Sequence, residues 1–222
     1  MTTLELPNLL LDKIYRDLLP HVKIDSPNPH NPVIVDFLPK PWQIIGKGNY
    51  AAVFGHPEYT SVVIKIYAPQ RSGWAEEVEV YERLGSHAAF SQCLYAEPNW
   101  LILKRLYGTT LYDCLHLGIK INDRVIEDID RALEYAISRG LYPHDVHGRN
   151  VMMSENRGLV VDISDFLTRE PCNAWQDLKR AYYWLYRPFF AWHSLRVPYF
   201  ILDLVRKSYR LIRNLRSFAL KK

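Results

Sequence analysis

Between residues 141 and 165 the sequence drops the helical periodicity that precedes it. Four ionisable side chains and an asparagine crowd into the seven residues His144-Asp145-Val146-His147-Gly148-Arg149-Asn150. Two short apolar runs follow, Val151-Met152-Met153 and Leu159-Val160-Val161. They are separated by the turn-like Glu155-Asn156-Arg157-Gly158, and the second is closed by Asp162. This pattern predicts a polar loop leading into two short strands with acids at their ends. A carboxylate at the end of a buried strand must be paired or bound to a metal. The chain around this loop therefore has to supply cations, and its elements upstream decide which.

The upstream half reads as strands and one helix. Val33–Phe37, Trp42–Ile45, Ala51–Phe54 and Val62–Tyr67 are short runs with strand character, the later ones separated by glycine and Pro-Glu-Tyr-Thr turns. Residues 74–84 read as a helix, with Ala75, Val78 and Tyr81 or Leu84 at helical spacing. Leu94–Glu97 and Trp100–Arg105 predict a hairpin, Gly108–Leu117 a short helix, and Asn122–Arg139 a longer one ended by Gly140. Leu9–Leu19 reads as a helix, and the Pro/Asn-rich 26–32 as a loop. Beyond Trp175 the pattern is helical again, interrupted at Pro188 and Pro198.

Four places carry chemistry. In Gly46-Lys47-Gly48 the two glycines allow a turn that brings backbone amides to a ligand, or simply close a hairpin. The phosphate loop GxxxxGK(S/T) is absent. Lys65, within Val62-Val63-Ile64-Lys65-Ile66-Tyr67, either reaches phosphate oxygens in a cleft or stands on an exposed edge. Glu77, twelve residues on, is placed to pair with it, with Glu76 and Glu79 as rivals. Asp145 suits orienting and deprotonating an acceptor hydroxyl. Asn150 and Asp162 supply the oxygen ligands that Mg²⁺ favours. His144 and His147 admit a zinc reading, although no HExxH is present. Arg149 either neutralises phosphate or pairs with Asp145, and Asp165 either joins the metal or caps a turn.

Taken in order, these parts resemble the protein-kinase-like superfamily over about residues 42–166. Gly46-Lys-Gly48 through Val53 is similar to its glycine-rich loop GxGxxGxV, with Ala51 in place of the third glycine. Val62-Val-Ile-Lys65 resembles the VAIK strand, and Glu77 matches the helix C glutamate. His144-Asp145 through Asn150 is similar to HRDxxxxN, and Asp162-Ile163-Ser164 stands where the family has DFG. The resemblance implies an α+β, bilobal fold: an antiparallel-sheet N-lobe with one key helix, and a reduced, mostly helical C-lobe. The expected divisions are an extension at 1–32, the N-lobe and hinge at 33–106, and the C-lobe at 107–222.

The same resemblance implies binding of ATP and Mg²⁺ and transfer of the γ-phosphate to a hydroxyl acceptor, a protein or a small molecule, as in serine/threonine kinases. Lys65 would orient the phosphates, Glu77 would anchor Lys65, and Asp145 would be the base. Asn150 and Asp162 would hold Mg²⁺, and Gly46, Gly48 and Val53 would cover the nucleotide. Leu103 would be the gatekeeper, with Lys104 to Leu106 bonding adenine through the backbone. The arginine before the catalytic aspartate, the Phe and Gly of DFG and the APE motif are missing, and there is little room for an activation segment. These departures resemble the small bacterial, RIO-like, lipopolysaccharide-kinase and aminoglycoside-phosphotransferase branches. A nucleotide-binding module without turnover is an alternative.

Charge is uneven. The formal total is +4, yet 196–222 holds eight Lys or Arg against the single acid Asp203, a local +7. Tyr199–Lys222 reads as an amphipathic helix, with Leu202, Val205, Tyr209, Ile212 and Leu215 on one side and Arg206, Lys207, Arg210, Arg213 and Arg216 filling much of the rest. It either packs as a final helix with a solvated basic face, or meets an anionic membrane surface, or binds nucleic acid. The aromatics Tyr182, Tyr183, Trp184, Tyr186, Phe189, Phe190 and Trp192 either fill the core or line an acceptor pocket. Cys93, Cys114 and Cys172 form no CxxC and suit a reducing compartment. Residues 1–10 predict no export signal, and no apolar run is long enough to span a bilayer. The expected location is the cytoplasm, with a peripheral place at the inner face of a membrane as the alternative.

Overall fold

The computed structural model describes residues 8–69, 71–189 and 196–208. It is a mixed α+β arrangement, rich in sheet in its first half and more helical in its second. Helix α1 (Asn8–Lys13) continues through a wider turn at Ile14–Leu18. Strands β1 (Lys23–Asp25) and β2 (Ile34–Phe37) form an antiparallel pair. The sequence pattern had no strand at 23–25, because three residues are too few to show alternation; β1 forms by pairing with β2.

The main sheet holds five antiparallel strands in the order β3-β4-β5-β7-β6, made of β3 (Gln43–Lys47), β4 (Ala51–Gly55), β5 (Val62–Tyr67), β6 (Cys93–Glu97) and β7 (Trp100–Lys104). Alternation along each strand divides two cores. Val62, Ile64 and Ile66, with Ala52, Phe54, Trp100 and Ile102, face one side, where Leu10, Ile14 and Leu18 of the N-terminal helix are fully buried against them. Val63 and Tyr67, with Ala51, Leu101 and Leu103, face the other, which is covered by α2 (Trp74–Leu84) through Val80, Tyr81 and Leu84. Lys65 lies between Val63 and Tyr67 on that second face.

Three further strands, β8 (Thr109–Thr110), β9 (Val151–Ser154) and β10 (Arg157–Val160), form a second antiparallel sheet in the order β10-β9-β8. Helix α3 (Leu111–Leu117) starts three residues later than the Gly108–Leu117 reading, because Thr109 and Thr110 pair with Met153 and Met152. The Thr110 hydroxyl caps α3 by accepting from the Asp113 amide at 3.0 Å. Helix α4 (Asp123–Ser138) is capped in the same way by Asn122, and buries Val125, Ile126, Ile129, Ala132, Leu133 and Ala136. It carries the β9–β10 hairpin on its back. A Cβ on Gly158 would run into the Val125 carbonyl, so only glycine permits this approach.

Helix α5 (Ala174–Ala181) leads through a wide turn at Tyr182–Tyr186 into the short α6 (Arg187–Phe189). Tyr182 is buried, its hydroxyl donating to Asp123 at 2.8 Å, and Tyr186 accepts from the Ile121 amide at 2.9 Å. Trp184 is 78% exposed and Phe189 is also exposed, so this aromatic run is only partly core. Phe190 and Trp192 lie outside the described residues. Residues 199–208 form helix α7; the amphipathic pattern expected beyond Ser208 lies outside the described residues.

Candidate active site

Lys65 is the meeting point of three distant segments. Its strand neighbours Val53 on β4 and Leu101 on β7 sit opposite it in register. From the inner face its ammonium reaches Glu77 Oε2 of α2 at 2.6 Å and Asp162 Oδ1, just past β10, at 3.7 Å. Glu77 is 1% exposed and also accepts from the Tyr67 hydroxyl. It heads the buried stripe Glu77, Val80, Tyr81 and Leu84, while Ala75, expected to pack, is exposed. The spacing of Ala75, Val78 and Tyr81 thus put the buried face slightly off; the carboxylate itself occupies a core position because a cation waits there. Burial pushes the Lys65 ammonium toward losing its proton, but the Glu77 and Asp162 charges outweigh this and hold it above its usual range. Burial likewise raises the Asp162 carboxyl, and Lys65 with the Ser164 hydrogen bonds brings it below normal. Both groups are therefore charged near neutral pH.

The second part is the loop 144–150. Val146 is buried and anchors it. Asp145 has φ +52°, a left-handed conformation that a non-glycine residue adopts at a cost of roughly 1 kcal/mol. Two hydrogen bonds support it. The Asp145 amide donates to Cys172 Sγ at 3.4 Å, and the Asp145 carbonyl accepts from Asn150 Nδ2 at 3.0 Å. That bond turns the amide of Asn150 so that its oxygen is the remaining acceptor. The Val161 amide donates to the Asn150 carbonyl at 3.0 Å, which sets Asp162 beside the loop's end. His147 Nε2 stands 3.6 Å from Asp145 Oδ2. Arg149 does not reach into this cluster but pairs with Asp203 of α7 at 3.0 Å, lying over the Tyr112 ring at 4.1 Å. Burial raises the Asp165 carboxyl, and the Asp162 and Asp145 charges push it the same way.

Among the described residues no three His, Cys, Asp or Glu side chains are grouped to hold a metal, and the zinc reading of His144 and His147 is not supported. An amide oxygen and a carboxylate suit a harder cation that keeps several waters.

The remaining expected residues flank Lys65. The Gly46–Gly48 turn closes β3 on β4: the Gly48 amide donates to the Ala51 carbonyl at 2.9 Å, and the Gly48 carbonyl accepts from Val33 at 2.8 Å. A Cβ on Gly46 would meet nothing within 4 Å, so the space above it is open. Leu103 is buried opposite Val63. The Lys104 amide already donates to Gln92 and the Arg105 amide to Ser61, at 2.9 and 2.8 Å, and the Lys104 carbonyl accepts from Ser91 at 2.7 Å. Cys172 and Asp203 escaped sequence reasoning, since each meets the loop only through tertiary contact.

In this mixed α+β chain a strand lysine, a helix glutamate and a strand-end aspartate thus converge beside a polar loop. The chain is 32% identical over 183 residues to the Bacillus subtilis (strain 168) protein named "Putative serine/threonine-protein kinase YrzF". That match covers 81% of this chain and 84% of the relative. The chain belongs with that relative to a kinase-like superfamily. No protein-family model matches it.

Proposed function

We propose that this protein is an ATP- and Mg²⁺-dependent phosphotransferase that moves the γ-phosphate of ATP to a hydroxyl acceptor, a protein or a small molecule. The observation that carries the reading is Lys65, held at 2.6 Å by a buried Glu77 and within 3.7 Å of Asp162. A buried ion pair is a weak device for stability. A charged lysine kept pointing past its partner toward a second carboxylate suits a bound polyanion.

In this reading residues 33–106 form an N-lobe with its hinge, 107–222 a C-lobe, and 1–32 an extension. ATP sits between the lobes, under the Gly46–Gly48 turn and against Val53 and Leu103. The hinge carries adenine through Leu106 and the second lone pair of the Lys104 carbonyl, the Lys104 amide being taken by Gln92. Lys65 orients the α- and β-phosphates, and Glu77 prevents it from turning away. Asn150 Oδ1 and Asp162 hold Mg²⁺, which when bound neutralises phosphate charge. Asp145, presented by its left-handed backbone, accepts the proton of the acceptor hydroxyl as the oxygen attacks the γ-phosphorus in line, and the bond from that phosphorus to the bridging β-phosphate oxygen breaks to release ADP. The chain thus works by positioning and charge neutralisation. A cytoplasmic location goes with this use of ATP.

The test is transfer of radiolabel from γ-labelled ATP, to the protein itself and to trial acceptors, with and without Mg²⁺. Wild type is compared with Asp145→Asn and Asp162→Asn. Mg²⁺-dependent transfer lost in both variants is expected. Nucleotide binding without any transfer would leave a regulatory module, and no nucleotide binding would end the kinase reading.

A further inference from the structure

Helix α7 is seated with its polarity reversed. Its inward positions are Leu202, Asp203 and Arg206, with Tyr199 stacked at 3.6 Å on the His116 ring and Asp203 bound to Arg149 and Tyr112. Its outward positions are Phe200, Ile201, Leu204 and Val205, and Phe200 is 71% and Leu204 and Val205 each 62% exposed. An amphipathic helix packed for its own stability buries the apolar stripe and leaves the charges in water. Here Val205, expected on the packed side, stands outside. Four apolar side chains at i, i+1, i+4 and i+5 form one continuous outward face, which on a monomer marks an interaction site.

The charge around this face identifies its occupant. Arg196 at its start and Lys207 at its edge are exposed, and the sequence beyond it, 209–222, adds five Lys or Arg and no acid. A second copy of the chain would bring two strongly cationic segments together, which repulsion opposes. A nucleic-acid backbone would be drawn to the cations but would gain nothing from covering Phe200 and Leu204. A surface with negative headgroups above an apolar layer satisfies both features at once. We propose that the outward face of α7 is a docking surface for an anionic lipid bilayer, with the helix lying in the interface plane. Among the described residues no helix is long and apolar enough to cross a membrane.

This proposal is independent of phosphotransfer, and so is its test. The full chain is floated with vesicles of phosphatidylcholine alone and with vesicles also containing phosphatidylglycerol. The Phe200→Ser/Leu204→Ser double variant, altered only at exposed positions, is run beside it, with circular dichroism to show an unchanged fold. Binding to the anionic vesicles alone, weakened about tenfold or more in the double variant and reduced by salt, is the expected result. Equal binding to both vesicles, no binding to either, or an unaffected double variant would overturn it. So would a salt-sensitive complex with duplex or single-stranded nucleic acid formed in place of vesicle binding, or a dimer in sedimentation that the double variant abolishes.

Discussion

Asp203 accepts from the Arg149 guanidinium at 3.0 Å and from the Tyr112 hydroxyl at 2.8 Å. One carboxylate thus fastens α7 to the loop that carries Asp145 and Asn150. Arg149 directly precedes Asn150, so its position is coupled to that of the amide that bonds the Asp145 carbonyl. The Tyr112 hydrogen bond, with the Arg149 and Arg206 charges, holds the Asp203 carboxyl below its usual range. The Asp203→Asn variant keeps the shape but loses the charge. We expect it to stay folded and to lower transfer by roughly three- to tenfold, with the Mg²⁺ concentration for half-maximal rate raised. Titration of the rate with Mg²⁺ checks this; an unchanged rate and Mg²⁺ dependence would show that Arg149 positions nothing.

Removing Lys65 leaves a buried carboxylate without its cation. Lys65→Met is expected to destabilise by roughly 3–5 kcal/mol and to lower transfer by about 10²-fold or more. The double variant Lys65→Met/Glu77→Gln removes the orphaned charge while keeping an acceptor for the Tyr67 hydroxyl. It should recover most of the stability and none of the transfer. Urea unfolding beside single-turnover rates separates the two effects.

Asp128 ties α4 to the β9–β10 hairpin. Its buried carboxylate accepts from Arg157 Nε at 2.5 Å, Arg131 at 2.6 Å and the Gly158 amide at 3.2 Å. Burial pushes the carboxyl up, but these hydrogen bonds win and lower it from 3.8 to about 2. The folded value lies below the unfolded one, so the stabilisation is full above about pH 4 and is lost as the pH falls toward 2. Because both arginines are largely exposed, we expect about 1–2 kcal/mol. Chemical unfolding of wild type and Asp128→Asn should differ by that amount near neutral pH, and the gap should close toward about pH 2.

Gly158 tests the same junction sterically. A Cβ there would collide with the Val125 carbonyl and come within 2.8 Å of Ile129 Cγ1. Gly158→Ala is expected to cost about 1–3 kcal/mol and, by shifting β10, to displace Asp162 and lower transfer. A thermal melt with a parallel rate assay checks both. Unchanged stability would mean that the hairpin can slide on α4.

The sequence by itself determined most of the longer elements and named the candidate residues on them. Once Val62–Tyr67 is a strand, Lys65 shares the face of Val63 and Tyr67, because side-chain direction in a strand follows a local period of two; whether that face is a cleft or an exposed edge, both open in the sequence, was decided by the docking of α2. The polar run from His144 to Asn150 and the acid after Leu159–Val161 were legible for the same reason: charge among apolar residues needs a partner. What covers each face is a matter of tertiary structure. Glu77 rather than Glu76 or Glu79 meets Lys65 because α2 docks with Val80 and Leu84 inward, and that orientation depends on the shape of the sheet beneath it. The support of Asp145 by Cys172, the hold of Asp203 on Arg149 and the outward turn of Phe200 and Leu204 left no periodic trace. They arise from contacts between residues far apart in the chain, where the available partners, and not the helix's own pattern, decide which side faces in.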